Sequence, residues 1–223
     1  MGLNKNKVEY GYELAYKLAG EQLANMDNIE QQCLNSGAQY QIIDTKRVIT
    51  TEYLNQSYLI SLPDMDISLM NSTEELQLRD KILIVHYLSQ AKGTPLTNKI
   101  ISYKELPEGS NYFPTFSKRA LKPILDHFGK EPERLVDVAT KLGGYQADYG
   151  DAAVTINAFP RVPITFVLWK GDKEFPPGGN ILFNSTIPDY LSTEDINVLC
   201  EAIAWRLVRL KASGGDNPGR SRS

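Results

Sequence analysis

Cysteine and histidine are scarce here: the 223-residue chain holds two of each. Neither Cys33 nor Cys200 belongs to a Cys-x-x-Cys pair, so the chain alone assembles no iron–sulfur or zinc ligand set. Both fall in segments with helical patterning. They are expected to be buried free thiols, and a disulfide between them is the alternative. Two histidines leave few bases for a Ser–His or Cys–His device. Also missing are the Gly-x-Ser-x-Gly elbow, the phosphate-binding Gly-x-x-x-x-Gly-Lys, the His-Glu-x-x-His pair and the Gly-x-Gly-x-x-Gly turn. These absences favour a non-catalytic role over an enzyme.

Basic clusters are lacking too. The net charge is −3, and nothing longer than Lys118-Arg119 groups positive charge before the last few residues. A nucleic-acid partner is therefore not expected. No apolar run reaches the length of a membrane span, and the N-terminus has no secretory apolar core. The expectation is a cytoplasmic protein with no membrane partner. The apolar share of 42% and charged share of 23% are those of a globular chain. We expect a single domain over residues 1–212, followed by a flexible polar tail over 213–223.

The patterning alternates between helical and extended stretches. Residues 5–35 read as one helix with an apolar stripe including Tyr12, Tyr16 and Leu23, stopped at Gly37. Residues 40–69 are rich in β-branched and aromatic residues and read as an antiparallel meander turning at "LNQSY". Ser72 and Glu75 have capping-box spacing ahead of a helix that Gly93 and Pro95 stop. "NKIISYKEL" reads as a short strand and "PEGSNYFPTF" as a loop. Helices follow at 117–128 and 132–142. "AAVTINAF" and "ITFVLW" read as strands joined around "PRVP", with a tight turn at "KGDK" where Gly171 takes positive φ. "NILFN" is a further strand. Ser192 and Asp195 form an acidic capping box for a last helix. The fold class is α+β, a largely antiparallel sheet with helices packed on it.

Four phrases carry a resemblance: "YLSQAKGTPL", "LGGYQADYGDAA", "FPRVPITFVLWKGDKEFPPGGNILFN" and "YLSTEDI". In this order and spacing the chain resembles a domain-of-unknown-function family of anaerobic bacteria and archaea. The resemblance runs from about Tyr10 to Leu210. Many members carry a four-cysteine iron–sulfur module ahead of this domain, a module that is absent here. The resemblance implies an accessory role in redox or corrinoid metabolism, with a redox or corrinoid protein as partner or a small molecule as ligand. It assigns no cofactor. It also favours Asp where this chain has Asn184.

The candidate ligand-binding residues are Asp151, Arg161, Trp169, Asp172 and Glu174. Gathered at one rim, Asp151, Asp172 and Glu174 offer acid–base chemistry or a site for a divalent cation. The two aspartates equally suit turns, where Asp accepts backbone N–H bonds. Arg161, held between Pro160 and Pro163, offers a clamp for a carboxylate or phosphate, or else an ion pair with Asp172 or Glu174. Trp169, Phe175 and Phe183 offer flat apolar walls or simply core. His86 lies on an apolar helix face as a core histidine or as an axial ligand to haem or a corrinoid. His127, near a helix end, suits the helix dipole.

Overall fold

A computed structural model describes residues 3–70 and 72–214, with side chains described from residue 11 onward. The class is α+β, and the pairings within both sheets described below are antiparallel. The backbone divides into two compact units. The first takes residues up to 98 with 157–162 and 184–195; the second takes 99–156, 163–183 and 196 onward.

The first unit opens with helices α1 (Leu3–Ala24) and α2 (Ile29–Ser36), where the sequence pattern suggests one continuous helix. The break falls in "NMDN", whose Asn and Asp side chains compete for backbone groups. Asn28 Oδ1 accepts from Gln31 N at 3.2 Å and so starts α2 afresh. Gly37 ends α2 at φ 72°, as expected of a left-handed cap.

A four-stranded meander follows: β1 (Gln39–Ile43), β2 (Lys46–Tyr53), β3 (Gln56–Leu62) and β4 (Asp66–Leu69), in that spatial order. Asp44-Thr45 and Leu54-Asn55 close its first two hairpins with positive φ at both positions. Such turns match the right-handed twist of the flanking strands. Ile49 and Tyr53 of β2 pair with Ile60 and Gln56 of β3, and Ile49, Tyr53 and Ile60 have no exposed surface. Helix α3 (Leu78–Gln90) packs on α1. It starts five residues later than the capping-box spacing suggests. Ser72 Oγ accepts from Glu74 N at 3.1 Å, an i+2 turn that leaves Glu75 outside any cap.

Most residues of a five-stranded sheet belong to the second unit, together with helices. Strand β5 (Ile100–Ser102) is followed by α4 (Gly109–Phe116), where the sequence suggests only a loop. Pro114 removes one rung of α4, and the chain widens into a π turn over Ser117–Leu121 before α5 (Lys122–Phe128). Helix α6 (Glu133–Ala139) tightens to a 3-10 turn and stops at Gly143, φ 69°. Strands β6 (Tyr145–Ala147), β7 (Ala152–Phe159), β8 (Val162–Trp169) and β9 (Gly178–Asn184) complete the sheet in the order β5-β9-β8-β7-β6. Seven of the eight residues of β7 are buried, the pattern of a central strand. Helix α7 (Thr193–Gly214) runs through the first two residues of the expected tail; 215–223 lie outside the described residues.

Candidate functional site

The β7–β8 hairpin has two ends, and the candidate residues divide between them. Strand β8 fills the eight residues between Arg161 and Lys170. Arg161 therefore marks the tight end, and Asp151, Trp169 and Lys170 mark the open end. The single rim expected from the sequence forms for Asp151 with the start of the "KGDK" loop and does not include Arg161.

At the open end both aspartates build backbone. Asp151 N donates to Leu168 O at 2.9 Å, and Asp151 Oδ2 accepts from Lys170 N at 2.7 Å. Asp172 Oδ1 accepts from Phe175 N at 2.7 Å and Glu174 N at 2.8 Å. The amides of Phe175 and then Glu174 hold the Asp172 carboxyl below its ordinary range. For Asp172 this is the turn chemistry of aspartate; Asp151 instead ties its carboxylate to a backbone amide 19 residues on, and in each case one carboxylate oxygen is engaged by backbone. Gly171 does not adopt the expected positive φ. It is required for another reason: a Cβ there would lie 2.6 Å from Pro177 Cδ. The folded-back loop presents Phe175 at 68% exposure, and Trp169, the last residue of β8, is 46% exposed. A shallow cleft of about 310 Å³ is lined by Lys130, Asp172, Lys173, Glu174 and Phe175, among others. Phe183 belongs instead to the core, 1% exposed and 6.4 Å from the Phe116 ring centroid.

At the tight end Arg161 is held by its backbone. Arg161 N donates to Tyr87 Oη at 3.2 Å, and the Tyr87 hydroxyl donates to Ser36 O. The Tyr87 ring stacks on Phe159 with centroids 4.2 Å apart, and Tyr190 lies 6.1 Å beyond. These three rings are buried. Burial pushes both tyrosine hydroxyls up; the Arg161 backbone N–H and then the Arg161 charge pull Tyr87 back, and the charge pulls Tyr190 back. Arg161 Nε lies 3.6 Å from where a Cβ on Gly37 would stand. Among the described residues the Arg161 guanidinium has neither hydrogen bond nor ion pair. A half-buried guanidinium keeps its five donors available to an incoming anion.

The sequence does not foretell a third constellation. His86 Nδ1 lies 2.8 Å from Asp195 Oδ1, and Ser192 Oγ donates to Asp195 Oδ2 at 2.7 Å. The cap read from "STED" is present in its serine half, since Asp195 N also donates to Ser192 Oγ at 3.1 Å; the Asp195 carboxylate answers through the Ser192 hydroxyl. Residues 86 and 195 are far apart in the chain, so no spacing rule signals their pairing. His86 keeps 28% of its side chain exposed. Its bond to Asp195, then the charges of Asp195 and Glu194, hold it above its ordinary value despite burial.

Asn184 also has a definite role. Its Oδ1 accepts from Thr186 Oγ1 at 2.9 Å, and its Nδ2 donates to Thr97 O at 2.6 Å. A carboxylate there has no proton to give Thr97 O. Cys33 and Cys200 are free and buried. Burial pushes the Cys33 thiol up to about 11 and the Cys200 thiol higher still. His127 sits exposed in the last turn of α5, and its carbonyl accepts from Lys211 Nζ. Among the described residues, no three His, Cys, Asp or Glu side chains group for a metal, and no helix is long and apolar enough to cross a membrane.

Comparison with known proteins adds one finding. A family model described as a domain of unknown function (DUF3786) matches residues 28–206. No curated protein and no solved structure matches the chain.

Proposed function

We propose that this chain, which belongs to the DUF3786 family, is a non-catalytic ligand-binding or accessory module whose ligand is an anion held by Arg161. The observation that supports this reading is an arginine whose guanidinium makes no hydrogen bond or ion pair among the described residues, on a half-buried residue whose backbone is anchored on Tyr87. Guanidinium forks bind carboxylate and phosphate bidentately, and such charge-assisted bonds are stronger than neutral ones. The setting in redox or corrinoid metabolism, as an anaerobe's cytoplasmic protein, is part of the proposal and follows from the resemblance. The enzyme alternative draws less support, because Asp151 and Asp172 already accept backbone amides. The test is native mass spectrometry of protein purified without oxygen. Wild type should carry a small-molecule mass that Arg161→Ala loses; an identical mass on both proteins contradicts the assignment.

One observation favours a second reading, a haem or corrinoid ligated by His86. The Nδ1 bond to Asp195 fixes the ring and leaves Nε2 as the ligating nitrogen, the arrangement that supports metal-bound histidines. Mixing the protein with haem or with cobalamin should then shift the visible spectrum, and His86→Ala should abolish the shift. An unchanged spectrum for wild type removes this reading.

A further inference from the structure

Strand β1 stands at the edge of the first unit's sheet, where β2 is its hydrogen-bonded neighbour. The other edge of its backbone presents N–H and C=O groups ready for another strand. Natural edges are blunted by charge, proline or a bulge. The sequence of β1, Gln-Tyr-Gln-Ile-Ile, has no charge and no proline, and its register with β2 runs unbroken from Gln39 to Ile43.

The apolar surface around it is uneven. Ile42 is 67% exposed and Leu34 of α2 is 62% exposed. A groove of about 300 Å³ lies along the other end of the strand, lined by Glu30, Cys33, Leu34, Gln39, Tyr40 and Gln41. Tyr40 pairs with Ile49 and Ile42 with Arg47. With period two, Tyr40 and Ile42 point to one face. The groove thus sits beside the first half of β1, and the exposed isoleucine in the second half.

We propose that β1 pairs antiparallel with β1 of a second copy of this chain, about a two-fold axis at Gln41. That register sets Tyr40 opposite Ile42 of the second copy and Gln39 opposite its Ile43. Each copy's Ile42 then enters the other's groove beside Tyr40 and Leu34. No charge within the strand meets a like charge, so the surface is electrostatically self-compatible as an isologous interface requires. The result is one continuous eight-stranded sheet, formed from two copies of the four-stranded sheet.

The test uses the full chain. Sedimentation velocity up to about 100 µM, well above the dissociation constants of specific dimers, should show a dimer. Ile42→Lys should weaken it at least tenfold, with unchanged circular dichroism. Should that variant fold poorly, cysteine substitution keeps the proposal testable. Two residues directly opposite in an antiparallel pair stand roughly 4.5–5.5 Å apart at Cα, within disulfide range. Gln41→Cys should therefore cross-link two copies. Ile43→Cys should not, because four residues, roughly 13 Å of strand, separate the two thiols. A monomer throughout overturns the proposal, as does a dimer indifferent to Ile42→Lys or equal cross-linking at both positions. A monomer whose 39–43 amides gain exchange protection only with an added extended peptide also overturns it and gives the edge to a peptide.

Discussion

His86 Nδ1 and Asp195 Oδ1, 2.8 Å apart, join the middle of α3 to the first turn of α7 across 109 positions of sequence. The pair makes stability depend on pH from both sides. His86 is held above its ordinary 6.5, so its contribution is complete below 6.5 and lost as pH rises through the elevated value. For Asp195, burial acts to raise the carboxyl, but the bonds from His86 and Ser192 prevail and hold it below 3.8. Its contribution is complete above 3.8 and lost as pH falls through the depressed value. Asp195→Asn, which keeps the helix cap, should cost about 1.5–3 kcal/mol near pH 5.5. The cost should shrink well above the elevated His86 value. Urea melts of both proteins at the two pH values check this; a pH-independent difference refutes it.

Replacing Arg161 by Lys or Ala should leave stability nearly unchanged. The guanidinium makes no hydrogen bond or ion pair among the described residues, and the anchoring N–H belongs to the backbone. A change within about 0.5 kcal/mol in chemical denaturation is expected, as for surface positions. A loss of several kcal/mol would give Arg161 a structural role instead.

Tyr87→Phe should behave oppositely. It deletes the donor to Ser36 O and the acceptor for Arg161 N while keeping the stack on Phe159. Leaving a buried carbonyl and amide short of a partner costs about 1–3 kcal/mol. A denaturation midpoint equal to wild type contradicts the anchoring of the Arg161 turn.

Gly109→Ala should be more damaging than its small volume suggests. A Cβ there would lie 1.9 Å from Tyr103 O, a backbone atom that cannot rotate away. Overpacking of this kind costs roughly 1–3 kcal/mol or more. A variant as stable as wild type rules out the tight approach between the start of α4 and the Tyr103 carbonyl.

Much of the fold is legible in the sequence because short-range chemistry decides it. The meander, the β7–β8 hairpin, the stop at Gly37 and the Ser192–Asp195 cap all rest on neighbours within a few residues. Failures arise where local signals compete. Ser72 has the spacing of a capping box but turns back on Glu74, and Pro114 suggests a loop inside what is a helix. The candidate site is legible in part. Asp172 accepts from the amides two and three residues on, as its Gly-Asp context suggests, while Asp151 accepts from the distant Lys170 amide, which no local pattern signals. That the Arg161 guanidinium makes no hydrogen bond or ion pair among the described residues, and that His86 pairs with Asp195, depend on tertiary placement, which no local pattern encodes.

The most direct test is thermal denaturation of wild type and Arg161→Ala with inorganic phosphate, acetate or succinate at matched ionic strength. An anion with a dissociation constant of about 1 mM, present at about 10 mM, stabilises the native state by about 1.4 kcal/mol. For a chain of this size that raises the midpoint by roughly 3 °C. At least one of the three anions should do so in wild type and leave Arg161→Ala unmoved. Equal shifts in both proteins, or none in wild type, would contradict the assignment of Arg161 as the anion-holding residue.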